Sequence, residues 1–142
     1  MINLKLTTRE GEPNTKDMVI ISKGMLSYHA SQGHPRKWKI FSILLKDQSN
    51  KLFGCVIVSF LWNGMEIKTI WVDESLRQQG WGRKLMEAAE KEAIKRKCTI
   101  AYTNTFSWQA PDFYTKLGYK LYGRLDNFPE GNSLSYYRKD LV

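Results

Sequence analysis

Arg77-Gln78-Gln79-Gly80-Trp81-Gly82 joins a basic residue to two glycines one apart, directly ahead of a strongly patterned helix. That combination suits a phosphate. Glycines let backbone N–H groups approach an anion closely, and the first turn of a helix presents unpaired donors at its positive end. Two common phosphate loops do not fit the spacing. A Walker loop needs a glycine followed by Lys and Ser/Thr, and no such run exists here. A dinucleotide fingerprint needs a third glycine three residues after Gly82, where Leu85 stands.

Read as [Gln/Arg]-x-x-Gly-x-[Gly/Ala], Arg77, Gly80 and Gly82 resemble the acetyl-coenzyme A motif of the GNAT N-acetyltransferases. Val72, five residues earlier than Arg77, stands where that family places a valine at a strand end. The run from Phe106 through Tyr119 resembles the family's second motif, Ala-x-x-x-Tyr-x-Lys-x-Gly-[Phe/Tyr], with Ala110, Tyr114, Lys116, Gly118 and Tyr119 in register. The two motifs together span roughly residues 65 to 125. The resemblance implies an α/β (α+β) fold, a mixed, mostly antiparallel central sheet flanked by helices, in a single domain over residues 1–142. It also implies acetyl-CoA as cosubstrate and no metal.

The residues that would hold acetyl-CoA follow from the same resemblance. Arg77 and the stretch Gln78, Gln79, Gly80, Trp81, Gly82, Arg83 and Lys84 would cradle the pyrophosphate. Backbone groups of Trp71 and Val72 would hold the pantetheine arm as an extra strand is held, beside a bulge that splays this strand from the next. Ala110, Phe113 and Lys116 would close the far side. Where many relatives carry an Asn three residues before Ala110, this chain has Ser107, so Asn104 or Ser107 is expected to make that pantetheine contact.

Acetyl transfer to an amine requires an ammonium to lose a proton, an oxyanion to be stabilised and a thiolate to depart. Tyr114 matches the family tyrosine credited with protonating the thiolate, and a phenol with a pKa near ~10 suits that task. Glu66 stands where members using a glutamate base often carry it. Strand alternation from Val72 predicts Glu66 on the same face as Ile70 and Val72. Ordered water is the alternative to Glu66. An N–H near Val72 is expected to serve as the oxyanion donor. His29 and His34 lie near neither motif and are expected at the surface or a helix end.

The elements around these residues can be read from pattern. Leu4 and Leu6 alternate with polar neighbours over 3–7, which predicts a strand. Asn14 is a good N-cap for a helix to about Ala30, with Met18, Ile21 and Met25 on its apolar stripe. Lys39–Leu45, Leu52–Leu61 and Met65–Val72 read as an antiparallel meander, with Asn63-Gly64 as the second turn. Leu85, Ala88, Ala89 and Ala93 face inward on the helix that starts near Arg83. A strand over Cys98–Thr103, a short helix from Pro111 to Leu117 and a closing pair of strands complete the reading.

Composition narrows the partners. Twenty-two Lys plus Arg against fourteen Asp plus Glu leave a net charge of +8, which attracts polyanions. The basic residues are interleaved with acidic ones and match no common nucleic-acid module, so nucleic acid is not the expected partner. No apolar run reaches the ~18 residues of a membrane span. Cys55 and Cys98 lack metal-ligand spacing and read as free thiols of a cytoplasmic protein. The expected partner is a small-molecule or peptide amine acceptor, and a homodimer is left open. An inactive acyl-CoA-binding regulatory module and a basic nucleic-acid-binding protein are the rival functions.

Overall fold

The computed structural model describes residues 2–141. The chain divides into two units, Met1–Arg36 and Lys37–Val142. In the first unit Asn14 caps α1 (Thr15–Ser31), its side-chain oxygen accepting from the Asp17 N–H at 2.8 Å. Residues 3–7 form no strand, and Leu4 and Leu6 are fully or largely exposed. Alternation alone does not make a strand, because the ladder needs a partner edge, and none among the described residues pairs with this segment.

The second unit holds a six-stranded sheet in the order β1-β2-β3-β4-β6-β5. Its strands are β1 (Trp38–Lys46), β2 (Leu52–Leu61), β3 (Gly64–Val72), β4 (Ile100–Phe106), β5 (Lys120–Asp126) and β6 (Ser133–Asp140). Every pairing is antiparallel except β3 with β4. Between these strands run α2 (Trp81–Lys95) and α3 (Pro111–Lys116). The sheet is therefore mixed and mostly antiparallel, with helices against it.

The core lies between α2 and one face of the sheet. Leu85, Met86, Ala89 and Ala93 of α2 are buried with Val56, Val58 and Phe60 of β2 and Met65 and Ile67 of β3. Ala88 is only half-buried, while Glu90 is buried on the inward face. A buried carboxylate needs partners. Glu90 receives the Tyr119 hydroxyl at 3.1 Å and the Lys139 ammonium at 2.6 Å, which ties α2 to the far end of the sheet.

Two turns differ from the sequence reading. The register Leu61↔Gly64 makes Trp62-Asn63 the two-residue loop, with Trp62 in the left-handed region at φ 51. Gly64 is drawn into β3 because it pairs with Ile100 where β4 begins, and the Thr99 N–H donates to the Asn63 carbonyl at 2.9 Å. Cys98 and Thr99 belong to the end of α2 and the entry to β4 rather than to the strand. Lys97 turns left-handed at φ 65, and the Cys98 N–H closes onto Ala93 at 2.9 Å.

Candidate active site

The parallel pair β3–β4 is bonded over only three positions, ending at Glu66↔Tyr102. Immediately beyond, the Thr103 hydroxyl donates to the Ile67 carbonyl at 2.9 Å, a side chain doing what the next ladder bond would have done. On the other edge of β3, Ile57 faces Thr69 while Val58 faces Ile67, so Lys68 is an inserted residue. A bulge of this kind bends its strand and adds twist. The two parallel strands separate from here toward Val72 and Phe106, leaving a wedge-shaped slot. The bulge thus sits at Lys68, four residues ahead of the expected position beside Val72.

One edge of β3 lines that slot with backbone that no neighbouring strand pairs. The Asp73 N–H donates to Phe53 of β2 at 2.7 Å. Bonded pairs recur every second residue in an antiparallel ladder, so Trp71, paired with Cys55, also directs its N–H and C=O to β2. A Cβ built on Gly54 would meet the Trp71 carbonyl at 2.9 Å, which places that oxygen on the β2 side. Ile70 and Val72 therefore turn their N–H and C=O groups into the slot. The Arg77 guanidinium donates to the Val72 carbonyl at 3.1 Å, leaving the Val72 N–H aimed the same way. The backbone pair for an extended ligand is thus Ile70 with Val72, rather than Trp71 with Val72. Counting back two residues from Val72 would have found Ile70.

The slot opens into a cleft of about 590 Å³ over the start of α2. Gln78 at φ 62 and Gly80 at φ 85 are both left-handed, and they turn the chain abruptly into the helix. Gly80 is the N-cap, so no side chain caps the helix, and its first turn contains no acidic residue. Arg83 and Lys84 stand there instead. Cations in a first turn oppose the helix dipole, and uncapped N–H donors need an acceptor. Both features are relieved by an anion seated on Trp81, Gly82 and Arg83. Gly82 also lets the Phe113 ring approach closely, because a Cβ there would lie 3.1 Å from it and the ring would have to shift.

Of the residues singled out from sequence, Trp71, Val72, Arg77, Gln78, Gly80, Trp81 and Gly82 line one side of the cleft, together with Arg83. Ala110, Phe113 and Lys116 line the other. The Arg83 guanidinium pairs with Glu87 at 3.7 Å in an exposed contact and donates to the Lys116 carbonyl at 3.4 Å, which links α2 to α3. Gln79 and Lys84 are not part of the lining. The Gln79 side chain reaches back to Ser75 at 3.4 Å, and the Lys84 ammonium sits 4.3 Å over the Trp81 ring.

Neither candidate for the Asn-like contact reaches the cleft wall. Ser107 is bound to the β5–β6 loop, its hydroxyl donating to the Asn132 side-chain oxygen at 3.0 Å. Asn104 is an exposed residue of β4 opposite Tyr136. Gln109, which the sequence reading missed, lines the cleft in their place, and its Oε1 accepts from the Phe106 N–H at 2.8 Å. Leu76 and Leu117 complete the apolar lining.

Tyr114 is 5% exposed and stands behind that lining. Its ring packs edge-on against Phe113 and Tyr119 and stacks on Tyr137. Its phenol is pushed up by burial, partly offset by a hydrogen bond with Thr103. Thr103 is the residue that bridges β3 and β4 where they part, so the Tyr114 hydroxyl lies at the apex of the slot. Tyr119 is pushed up more strongly, by burial and by the Glu90 carboxylate. Both phenols stay neutral in the folded chain past the pH, about 10, at which an unfolded tyrosine ionises. Their contribution to stability is complete below pH 10 and is lost as pH rises above it. The melting temperature should accordingly hold between pH 8 and 9.5 and fall steeply above 10. A flat profile to pH 11 would contradict this.

Glu66 is the principal correction. Met65 and Ile67 are in the core, and Ile70 and Val72 pack against that same core. The inserted Lys68 resets the alternation, so Glu66 points to the opposite face from Ile70 and Val72. It pairs there with the Lys68 ammonium at 3.1 Å and lies level with Tyr102. The cleft is therefore on the helix side of the sheet, and Glu66 is on the other.

Among the described residues no group of three or more His, Cys, Asp or Glu could hold a metal, and no helix is long and apolar enough to cross a membrane. The family model described as Acetyltransferase (GNAT) domain matches residues 38–121. The chain belongs to the GNAT acetyltransferase family. It is 26% identical over 107 residues to a blasticidin-S acetyltransferase of Streptomyces morookaense, covering 75% of this chain and 79% of that protein. The solved structure of an acetyltransferase from Bacillus cereus superposes with a TM-score of 0.83 at 28% identity, covering 94% of this chain and 98% of that one. An aminoglycoside 6'-N-acetyltransferase complexed with coenzyme A shares the fold at a TM-score of 0.65 and 21% identity, over 72% of this chain and 73% of that one.

Proposed function

We propose that this GNAT acetyltransferase moves an acetyl group from acetyl-CoA to the primary amine of a small molecule, by direct transfer within a ternary complex. One observation carries the reading: an uncapped, cation-bearing helix start and an unpaired strand edge meet in one cleft. The first fits a diphosphate and the second an extended amide chain, and acetyl-CoA contains both. Acetyl-CoA would supply an activated acetyl thioester. Trp81, Gly82 and Arg83 bind its diphosphate through backbone N–H groups, while Arg77 and Lys116 add charge. Ile70 and Val72 hold the arm along β3, and the Val72 N–H donates to the thioester oxygen.

Tyr114, at the apex, keeps its proton across the working pH range and donates it to the departing sulfur. Glu66 receives the acceptor's proton from the far face, directly or through water. Cys55 and Cys98 are both buried and line no part of the cleft, which favours direct transfer over a covalent acyl carrier. The blasticidin-S acetyltransferase among the relatives supports a small molecule over a peptide. The test is coenzyme A thiol release with an amine panel. Release should require the amine, and Glu66→Gln should slow it by roughly 10²-fold, most at low pH where the amine is protonated. Thiol release that is independent of every amine, with acetyl-CoA bound, would contradict the transferase reading.

A further inference from the structure

The face of the sheet opposite the cleft ends in an aromatic stack that the transfer chemistry does not use. Thr103 and Thr105 of β4 are buried on the helix side, so Tyr102, Asn104 and Phe106 point to the Glu66 side. Phe106 is the last residue of β4, at the mouth of the slot. The Trp108 ring lies parallel to the Phe106 ring, with centroids 4.7 Å apart and planes 8° apart. Phe128 of the β5–β6 loop flanks Phe106 at 5.9 Å and 34°. Trp108 remains 59% exposed and Phe128 49% exposed. One face of the indole is thus covered by Phe106, while its other face is open to water.

Hydrogen bonds tie the backbone on either side of the cluster together. The Ser107 N–H donates to the Ser133 carbonyl at 2.9 Å, the Ser107 hydroxyl to Asn132 at 3.0 Å, and the Phe128 N–H to the Asn132 carbonyl at 3.0 Å. Gln109, one residue after Trp108, lines the acetyl-CoA cleft and fixes the Phe106 backbone. The stack therefore lies on the Glu66 side of the sheet, next along the chain to a residue of the cleft lining. Stacked rings with one open face offer the next layer to a flat ring.

Building on the proposed transferase function, we propose that the acceptor is an amine carrying a flat, unsaturated ring, and that Trp108 selects it by stacking. Phe106 backs the indole and Phe128 walls the position. Thr103, at the slot apex, and Phe106 are three residues apart, roughly 10 Å along the strand. A short chain between amine and ring bridges that distance.

The test compares 2-phenylethylamine and 4-phenylbutylamine with their cyclohexyl counterparts, in the wild type and in Trp108→Leu. The wild type should favour the phenyl compounds by about tenfold in kcat/KM, mostly through KM, the size of one ring–ring contact. Trp108→Leu, at an exposed position, should fold normally, keep its acetyl-CoA thermal shift and bring that ratio close to one. Equal rates for phenyl and cyclohexyl amines in the wild type would overturn the proposal. So would a tenfold preference surviving in Trp108→Leu, or failure to acetylate any of the four amines while acetyl-CoA still binds. Loss of acetyl-CoA binding by the wild type would instead overturn the function on which the proposal rests.

Discussion

Tyr114→Phe should lower turnover by roughly 10–10³ while leaving acetyl-CoA affinity nearly unchanged, the pattern of a group that acts only as the thiolate departs. The phenylalanine ring preserves the packing against Phe113, Tyr119 and Tyr137, so the core is retained. What disappears is the hydroxyl at the slot apex and its hydrogen bond with Thr103. Because burial raises the phenol, the wild-type enzyme should hold its rate past the pH of about 10 at which an unfolded tyrosine ionises, and lose it only beyond that. That limb should vanish in the variant. Wild-type turnover in Tyr114→Phe across the whole range would leave Tyr114 as a packing residue.

Gly82→Asp is the second large effect expected. An acidic residue in the first turn of a helix interacts favourably with the dipole, so α2 should form at least as well as before. The same carboxylate stands where a diphosphate is to bind, and its Cβ presses on the Phe113 wall at 3.1 Å. Affinity for acetyl-CoA should fall by at least about 100-fold, which removes about 2.7 kcal/mol of ligand stabilisation at saturating concentration. Gly82→Ala separates the two causes. It adds the contact with Phe113 without the charge, and should bind between the wild type and Gly82→Asp. Normal binding by a folded Gly82→Asp would make the glycine loop a simple turn.

These two sites were legible in the sequence to different depths. The glycine loop could be read because the residues that turn the chain and those that start α2 are neighbours along it. Pattern placed Leu85, Ala89 and Ala93 on the inward face of α2 but missed Met86 and Glu90, and the partners of Glu90, Tyr119 and Lys139, are distant in sequence. The slot could not be read from alternation. Lys68 is an ordinary lysine in an ordinary strand, and only its pairing against Ile57 and Val58 shows it to be inserted. That one residue moved Glu66 to the face opposite Ile70 and Val72. Ser107 failed for a related reason. Its hydroxyl is claimed by Asn132, which lies 25 residues away and which no local pattern connects to it. The segment 3–7 shows the complementary limit, since two alternating leucines specify a face but not a partner strand.

The central claim is that the cleft between β3, α2 and α3 binds acetyl-CoA, and the direct test is the melting temperature of the wild-type chain against acetyl-CoA concentration. At about 100 times the dissociation constant the ligand adds about 2.7 kcal/mol, which for a chain of this size raises the midpoint by several degrees. The expected result is a rise that continues with the logarithm of acetyl-CoA concentration above the dissociation constant and is nearly abolished in Gly82→Asp. A midpoint unmoved at millimolar acetyl-CoA would contradict the account.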